Sequence, residues 1–515
     1  MGKADLTHLS LGLALCALTA PAWANDPLSA IEWLERRPEQ IVTPLSQIPR
    51  AIDEPPVADQ ITTPQVAVTP LGAPERGAAG LLPSTVTGLP RNLWSGSDVG
   101  TLSSLLARVR ADDHPALLSL LYTLLLAEAD APLGSGSEAF LNARAQKLLE
   151  LGALDPADAL LKRAGPAHPA LFDTFFDVNL LASDAVQACA FLRADPALSR
   201  DLSRRIFCDA RAQDWDTAAL TLSTADAIGA LSKSDTALLE HFLDPELFEG
   251  TAIPRAPAQP TALQFRLYAA IGEALPTAAL PRVFAATDLG GDAGWKAQAE
   301  AAERLVRVGA ISENSLLGIY TSRIPSASGG IWDRIEAVQR LETALGAGDP
   351  AAILKQARHA WQLMQAEDLG VPFAALFARD LLRLPTSAQD ADLVTRIALL
   401  SPAYEQAARR KTSSPLIKAA QAVARGEQPE SGTGLQSAIA RAFDMDARPP
   451  TDLVGLVQDQ QLGEAILRAI SRAAAGADGD PAALSSALIF FRKSGLEDTA
   501  RRHALHTLLT KAEGG

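Results

Sequence analysis

From residue 95 to the end of the chain, apolar residues recur at the three- and four-residue spacing of one helix face. Leu102, Leu105, Leu106 and Val109 show this spacing, and similar segments follow one another along the sequence. No run rich in Val, Ile, Thr or Tyr alternates long enough to predict a strand followed by a hairpin. The pattern therefore predicts an all-α protein.

The predicted helices are separated by a junction that recurs. Gly152, Gly229 and Gly309 each follow an apolar residue and precede two further apolar residues and then an Asp or a Ser. A glycine at this place ends a helix in the left-handed conformation, and the polar residue three positions later caps the next helix. The glycines are 77 and 80 positions apart, about two helix pairs each. This spacing predicts an irregular α-solenoid of helix hairpins.

Composition supports this fold and suggests its divisions. Hydrophobic residues make up 48% of the chain but aromatic residues only 5%, so Ala and Leu, which favour helices, supply most of the apolar surface. Two Pro-rich stretches, residues 38–92 and residues 250–260, interrupt the helical pattern. We expect four parts: a signal peptide (residues 1–24), a short helix with a tether (25–94), and two helical-repeat blocks (95–250 and 261–515).

The N-terminus has the features of an export signal. Residues 11–20 are an apolar run of signal-peptide length, and Ala22, Trp23 and Ala24 give a small-x-small cleavage pattern. We expect cleavage after Ala24 and a periplasmic location. The most apolar later stretch, residues 116–127, is too short to span a membrane, which takes about twenty residues, so it is interpreted as a fully buried helix.

Between the signal and the helical blocks, the sequence predicts a short helix at residues 27–37 and then an extended or disordered tether with ten prolines. The end of the tether carries apolar residues that are candidates for docking: Leu81, Leu82, Leu89, Leu93 and Trp94. Two interpretations stand side by side. The strip binds a partner or docks on the protein itself, or it is a tail packed along the folded body.

Two cysteines remain after removal of the signal. Cys189 and Cys208 are 19 positions apart on successive predicted helices, and an oxidising compartment favours a disulfide between them. The alternative is a pair of buried free thiols that act as small hydrophobic side chains.

Charge argues against one class of partner. Lys plus Arg total 46 and Asp plus Glu total 60, which gives a net charge of −14. Because nucleic-acid binding rests on neutralising phosphates, a nucleic-acid partner is not expected.

The sequence carries no G-x-S-x-G, G-x-x-x-x-G-K or H-E-x-x-H motif, and we predict no catalytic residues, no metal site and no cofactor. His503 and His506 lie three positions apart and are interpreted as solvated residues of the last helix. Glu430 followed by Ser431 resembles a fragment of the lytic transglycosylase motif. The residues that resemble the second part of that motif follow this pair too closely in the sequence. The loop also offers no apolar pocket to raise the pKa of a catalytic acid.

Two resemblances support the helical-repeat prediction. Residues 145–157 and 208–218 resemble the tetratricopeptide pattern, in which small residues on two helices flank a Gly or Asp turn. The order of parts in the chain resembles that in exported α-helical-repeat proteins of alphaproteobacteria. Here Ile31, Trp33 and Leu34 lie before the tether, and residues 88–94 form its end. That resemblance implies an envelope location and supplies no catalytic residue.

These observations predict a non-enzymatic periplasmic scaffold or adaptor that binds a protein or a cell-envelope partner, because helical repeats expose long grooves. The alternative is a cell-envelope enzyme acting on peptidoglycan, with an active site assembled from residues distant in the sequence. The partner and the oligomeric state do not follow from the sequence.

Overall fold

The structure, a computed structural model, describes residues 75–290 and 292–511. Within these ranges the chain is helical and forms no strand, which confirms the predicted all-α class. The predicted signal peptide, the helix of residues 27–37 and most of the tether lie outside the described residues. All described residues belong to one compact unit, Pro70–Gly515; the division into two helical blocks stays a prediction.

The first half of the described chain contains helices of four to fourteen residues joined by short turns. They are α1 (Ser84–Thr87), α2 (Val99–Arg108), α3 (Pro115–Leu126), α4 (Ser137–Glu150), α5 (Leu154–Ala164), α6 (Pro169–Leu181), α7 (Val186–Ala194), α8 (Leu202–Arg211), α9 (Trp215–Ala227), α10 (Lys233–Leu243), α11 (Ala262–Ala270) and α12 (Arg282–Ala285). Seven of the twelve residues of α3 are buried and Ser119 is exposed, so the helix is mostly buried and the prediction of a fully buried helix is wrong.

The second half continues in the same way. Its helices are α13 (Trp295–Val306), α14 (Glu313–Thr321), α15 (Ile331–Ala347), α16 (Pro350–Gln365), α17 (Gly370–Leu382), α18 (Ala388–Leu399), α19 (Tyr404–Ala407), α20 (Pro415–Arg425), α21 (Gly434–Ala442), α22 (Thr451–Gln458), α23 (Leu462–Ala477), α24 (Pro481–Lys493) and α25 (Glu497–Thr510). Short 3₁₀ helices cover Arg76–Ala78, Pro196–Leu198, Thr277–Ala279 and Ala286–Gly290.

The recurring glycines end helices as predicted. Gly152, Gly229 and Gly309 have φ of 83°, 66° and 69°, and at each the next amide donates back to a carbonyl in the last turn of the helix, which satisfies an otherwise unpaired acceptor. Ser232 and Ser312 cap the following helices through their hydroxyl groups.

The third predicted cap is wrong. Helix α5 begins at Leu154 after Ala153, and Asp155 lies inside its first turn. An acidic residue there still favours the helix, because it faces the positive end of the helix dipole.

The end of the predicted tether is packed against the helices. The buried guanidinium of Arg144 donates hydrogen bonds to the carbonyls of Ala79, Leu125 and Ala127, and burial lowers its pKa to about 10. The amides of Leu81 and Leu82 both donate to the carbonyl of Leu126, at 2.8 and 2.9 Å, as the segment runs beside the end of α3. A buried guanidinium needs such acceptors, so Arg144 fixes the path of residues 79–82.

Helices from the two ends of the described chain are in contact. Helix α3 packs against α23 and α25, and α2 packs against α23. The amide of Gly463 in α23 donates to the carbonyl of Leu93 at 3.0 Å, and the Gln461 amide side chain donates to the carbonyl of Gly96 at 3.0 Å. The contact between α3 and α25 borders the candidate site described next.

Candidate functional site

A cavity of about 400 Å³ lies where the start of α3 meets α25, α16 and α17. We call it the junction cavity. Its lining comes from residues far apart in the sequence: Asp112, Asp113, Pro115, Arg307, Trp361, Gln365, Asp368, Gly370, Val371, Leu400, His506, Thr510 and Lys511. Both carboxylates and cations therefore converge on a single concave surface.

The two cations of the lining already have carboxylate partners. Arg307 Nη2 lies 3.4 Å from a carboxylate oxygen of Glu303 and 3.7 Å from one of Glu367, and Arg307 Nε donates to the Glu367 carbonyl at 2.8 Å. Lys511 forms an ion pair with Asp478. The charge of each cation is therefore balanced by a carboxylate of the protein.

The three carboxylates of the lining are not equivalent. Asp112 pairs with Arg282, with 2.7 Å between the guanidinium and carboxylate atoms. Asp113 and Asp368 form no ion pair with any side chain of the described ranges, and both are exposed. The uncompensated charge at the cavity is therefore negative.

One wall of the cavity is apolar. Trp361 is 4% exposed and packs against Phe373 with ring centroids 5.7 Å apart. A Cβ on Gly370 would lie 3.2 Å from the indole Cη2 atom, so a glycine at the start of α17 lets the ring approach the backbone. Val371 and Leu400 complete the wall.

At the edge of the cavity, three histidines form a cluster in which His114 and His503 are buried. His114 precedes α3, and its ring meets that of His503 in α25 edge to face, with centroids 5.3 Å apart. His114 Nε2 lies 3.7 Å from a carboxylate oxygen of Asp478, and His503 Nε2 lies 3.3 Å from the carbonyl of Ala473. The Nδ1 atoms of His114, His503 and His506 are buried without a hydrogen-bond partner among the described residues.

Burial controls the charge of this cluster. It lowers the pKa of His503 to about 3 and that of His506 to about 4, and the neighbouring His114 lowers both further. The pKa of His114 is also lowered, first by burial and then by Lys511, against the opposing effect of Asp478. The imidazoles are therefore neutral near pH 7 and add no positive charge to the cavity.

The interpretation of His503 and His506 as solvated residues is wrong for His503. His503 is fully buried, and His506 is partly exposed with a buried Nδ1 atom. The reason is that α25 packs against α3, α20 and α24, so little of its surface faces solvent. The sequence contains a signal for this: Ala500 and Leu509 are three positions from His503 and His506, and so lie on the same helix face as the histidines.

The predicted cysteine pair lies at disulfide distance. Cys189 in α7 and Cys208 in α8 have their sulfur atoms 2.05 Å apart and their Cα atoms 5.1 Å apart. Both residues are buried. The pair joins two consecutive helices and does not line the junction cavity.

The docking candidates at the end of the tether lie against the chain's own helices. Leu89, Leu93 and Trp94 are buried, and the Trp94 ring packs edge to face on Phe140 with centroids 5.0 Å apart. Leu81 and Leu82 are partly exposed. The structure thus places the buried members in the core, and binding of a partner by the strip stays a prediction.

Glu430 resembles only a fragment of a catalytic motif and is not predicted to be catalytic. This residue is exposed in the loop between α20 and α21.

In the part of the chain that the structure describes, no three His, Cys, Asp or Glu side chains are arranged to hold a metal ion. No helix in residues 75–290 or 292–511 has the length and apolar character needed to cross a membrane.

Comparison with protein-family models, curated proteins and solved structures finds no match to this chain.

Proposed function

We propose that this protein is a non-enzymatic helical-repeat scaffold or adaptor of the periplasm, which binds a protein or cell-envelope partner at the junction cavity. The observation that carries the proposal is the cavity, which combines charged groups with an apolar wall. Its volume of about 400 Å³ lies within the range of ligand pockets, which bind through apolar walls and a few placed polar groups.

Binding fits the lining better than nucleophilic catalysis does. Thr510 supplies the hydroxyl group of the lining, and this hydroxyl donates at 2.6 Å to the carbonyl of His506 in its own helix. A catalytic hydroxyl needs a base within hydrogen-bonding distance. The hydroxyl of Thr510 donates to a backbone carbonyl and to no base, so it is not arranged as a nucleophile.

The repeat arrangement belongs to the same proposal. It is supported by the matching helix ends at Gly152, Gly229 and Gly309 and by the contacts between successive helices. The periplasmic location rests on the apolar run of residues 11–20. N-terminal sequencing of protein from the periplasmic fraction tests it, with Asn25 as the expected first residue.

The binding proposal is tested by filling the cavity. Thr510→Trp places an indole in the lining, and Thr224→Trp is its matched control. Thr224 is likewise an exposed residue near the end of a helix, and its hydroxyl donates to the carbonyl of Leu220 at 2.8 Å. Both variants and the unaltered protein are expressed in a native type of host and crosslinked in the periplasm, and thermal unfolding verifies their folding.

We expect a saturable partner with the unaltered protein and with Thr224→Trp, and its loss with Thr510→Trp. Equal capture by all three proteins would place recognition outside the cavity. If none of them captured a saturable partner, the adaptor function itself would be wrong.

A further inference from the structure

The charge balance at the junction cavity indicates the chemistry of its ligand. The cations Arg307 and Lys511 are held by carboxylates that belong to the protein. Asp113 and Asp368 have no such partner among the described residues, and both line the cavity. A ligand that enters the cavity therefore meets two free carboxylates, and an anionic ligand would have to displace existing ion pairs.

A second observation agrees with the first. His506 also lines the cavity, and its imidazole is neutral near pH 7, so it adds no positive charge that would repel a cation. An ammonium or guanidinium group carries the N–H donors that two carboxylates require.

The apolar wall of the cavity indicates a ligand that has an apolar part as well as a positive charge. Trp361, Val371 and Leu400 lie on the same surface as the free carboxylates. Lys and Arg side chains combine an apolar stem with a charged end, and they bury the stem along apolar surface while the end stays at polar groups. The net charge of −14 also attracts basic partners over long distances.

We infer that the junction cavity binds an alkylammonium or guanidinium group, presented as a lysine or arginine side chain of a partner polypeptide. The inference rests on the proposed function, since it names the chemistry by which that site selects its partner. Asp113 and Asp368 are the groups that contact the cation, and the apolar wall receives the methylene stem.

Capped tripeptides with a central lysine, norleucine or glutamate test the charge, because the norleucine peptide keeps the stem and removes the cation. Cadaverine, a free diamine, tests whether the polypeptide matters. Binding is measured by calorimetry and by the rise in thermal midpoint that a ligand of the native state produces.

The proteins are the unaltered chain, the double variant Asp113→Asn/Asp368→Asn, and the control Asp216→Asn on the exposed face of α9. Asn tolerates the left-handed conformation of residue 368, whose φ is 56°.

We expect saturable binding of the lysine peptide that is weakened about tenfold or more in the double variant, which corresponds to loss of about 1.4 kcal/mol. Asp216→Asn should bind as the unaltered chain does. Equal binding of the norleucine or glutamate peptide, or unchanged binding by the double variant, would overturn the cation inference. Tighter binding of cadaverine than of the peptide would overturn the polypeptide source.

The two proposals fail separately. If the Thr510→Trp variant loses a partner in the periplasm while no lysine peptide binds, the cavity is a binding site and the inferred ligand is wrong. If the lysine peptide binds only the unaltered cavity, both proposals are supported.

Discussion

His114 and His503 pack ring against ring, edge to face, with 5.3 Å between their centroids, although they lie near opposite ends of the described chain. The contact joins the start of α3 to the middle of α25. Since both rings are buried, protonation of either would place a charge in a region of low dielectric constant. The stability of this contact should therefore depend on pH.

We predict that the free energy of unfolding falls as the pH is lowered from about 6.5 toward 4. An unfolded histidine takes up a proton near pH 6.5, whereas folded His503 and His506 do so only near 3 and 4. Between these values the unfolded chain binds more protons, so acid favours unfolding. Each such histidine contributes a slope of about 1.4 kcal/mol per pH unit.

Urea unfolding measured at several pH values above about 5, before most carboxylates titrate, gives this slope. His503→Leu should reduce it by about one histidine's contribution, whatever the variant does to stability itself. His359→Leu, at an exposed position on α16, is the matched control for the replacement of a histidine by leucine. An unaltered slope in His503→Leu would show that folding does not lower the pKa of His503.

The contact between the end of the tether and α23 depends on a missing side chain. A Cβ on Gly463 would lie 2.4 Å from Trp94 Cε3 and 2.7 Å from the carbonyl oxygen of Leu93. We predict that Gly463→Ala lowers the free energy of unfolding by about 1–3 kcal/mol, because the ring and the backbone must both shift.

Gly455→Ala is the matched control for this substitution. Gly455 lies in the neighbouring helix α22, and a Cβ there meets nothing within 4 Å. Alanine should stabilise that helix by about 0.5–1 kcal/mol. Chemical denaturation of both variants measures the difference. Equal effects at the two positions would show that Trp94 does not pack on α23.

Two turns share one backbone geometry, but one has a glutamine where the other has a glycine. We therefore predict that substitutions at the two positions change stability in opposite directions. Gln213, after α8, and Gly229, after α9, have φ of 64° and 66° and make the same pair of backbone hydrogen bonds to the preceding helix. A left-handed backbone costs a residue with a Cβ about 1–2 kcal/mol. Gln213→Gly should therefore stabilise the protein by about 1 kcal/mol, and Gly229→Ala should destabilise it by a similar amount.

Thermal or urea unfolding of the two variants tests this prediction. Nothing lies within 4 Å of a Cβ on Gly229, so a loss of stability there reports backbone strain and no clash. Destabilisation by Gln213→Gly would mean that the glutamine side chain contributes more than the conformation costs.

These turns show what the sequence reveals and what it hides. Helices and their glycine ends follow from local patterns, and for this reason the all-α class and the turns at Gly152, Gly229 and Gly309 were predictable. The same left-handed turn at Ser183, Gln213, Asp368 and Gln460 carries no glycine to signal it.

The junction cavity was hidden for a different reason. It depends on which helices meet, and helical spacing within each segment does not determine that. His114 and His503 look like isolated polar residues until α3 and α25 are in contact. The cysteine pair was predictable because its two helices are consecutive and their turn brings the residues together.

The disulfide gives the last prediction. Cys189 and Cys208 close a loop between α7 and α8, and restricting the unfolded chain in this way stabilises a fold by about 3 kcal/mol for a loop of similar length. The double variant Cys189→Ala/Cys208→Ala should lose about this amount of free energy of unfolding, measured with urea.

A reductant should lower the free energy of unfolding of the unaltered protein by a similar amount and leave that of the variant unchanged, which separates the effect of the bond from that of side-chain packing. Insensitivity of the unaltered protein to reductant would mean that the cysteines are free thiols under the conditions of the measurement. Because the pair does not line the junction cavity, the variant should still bind the lysine peptide with unchanged affinity.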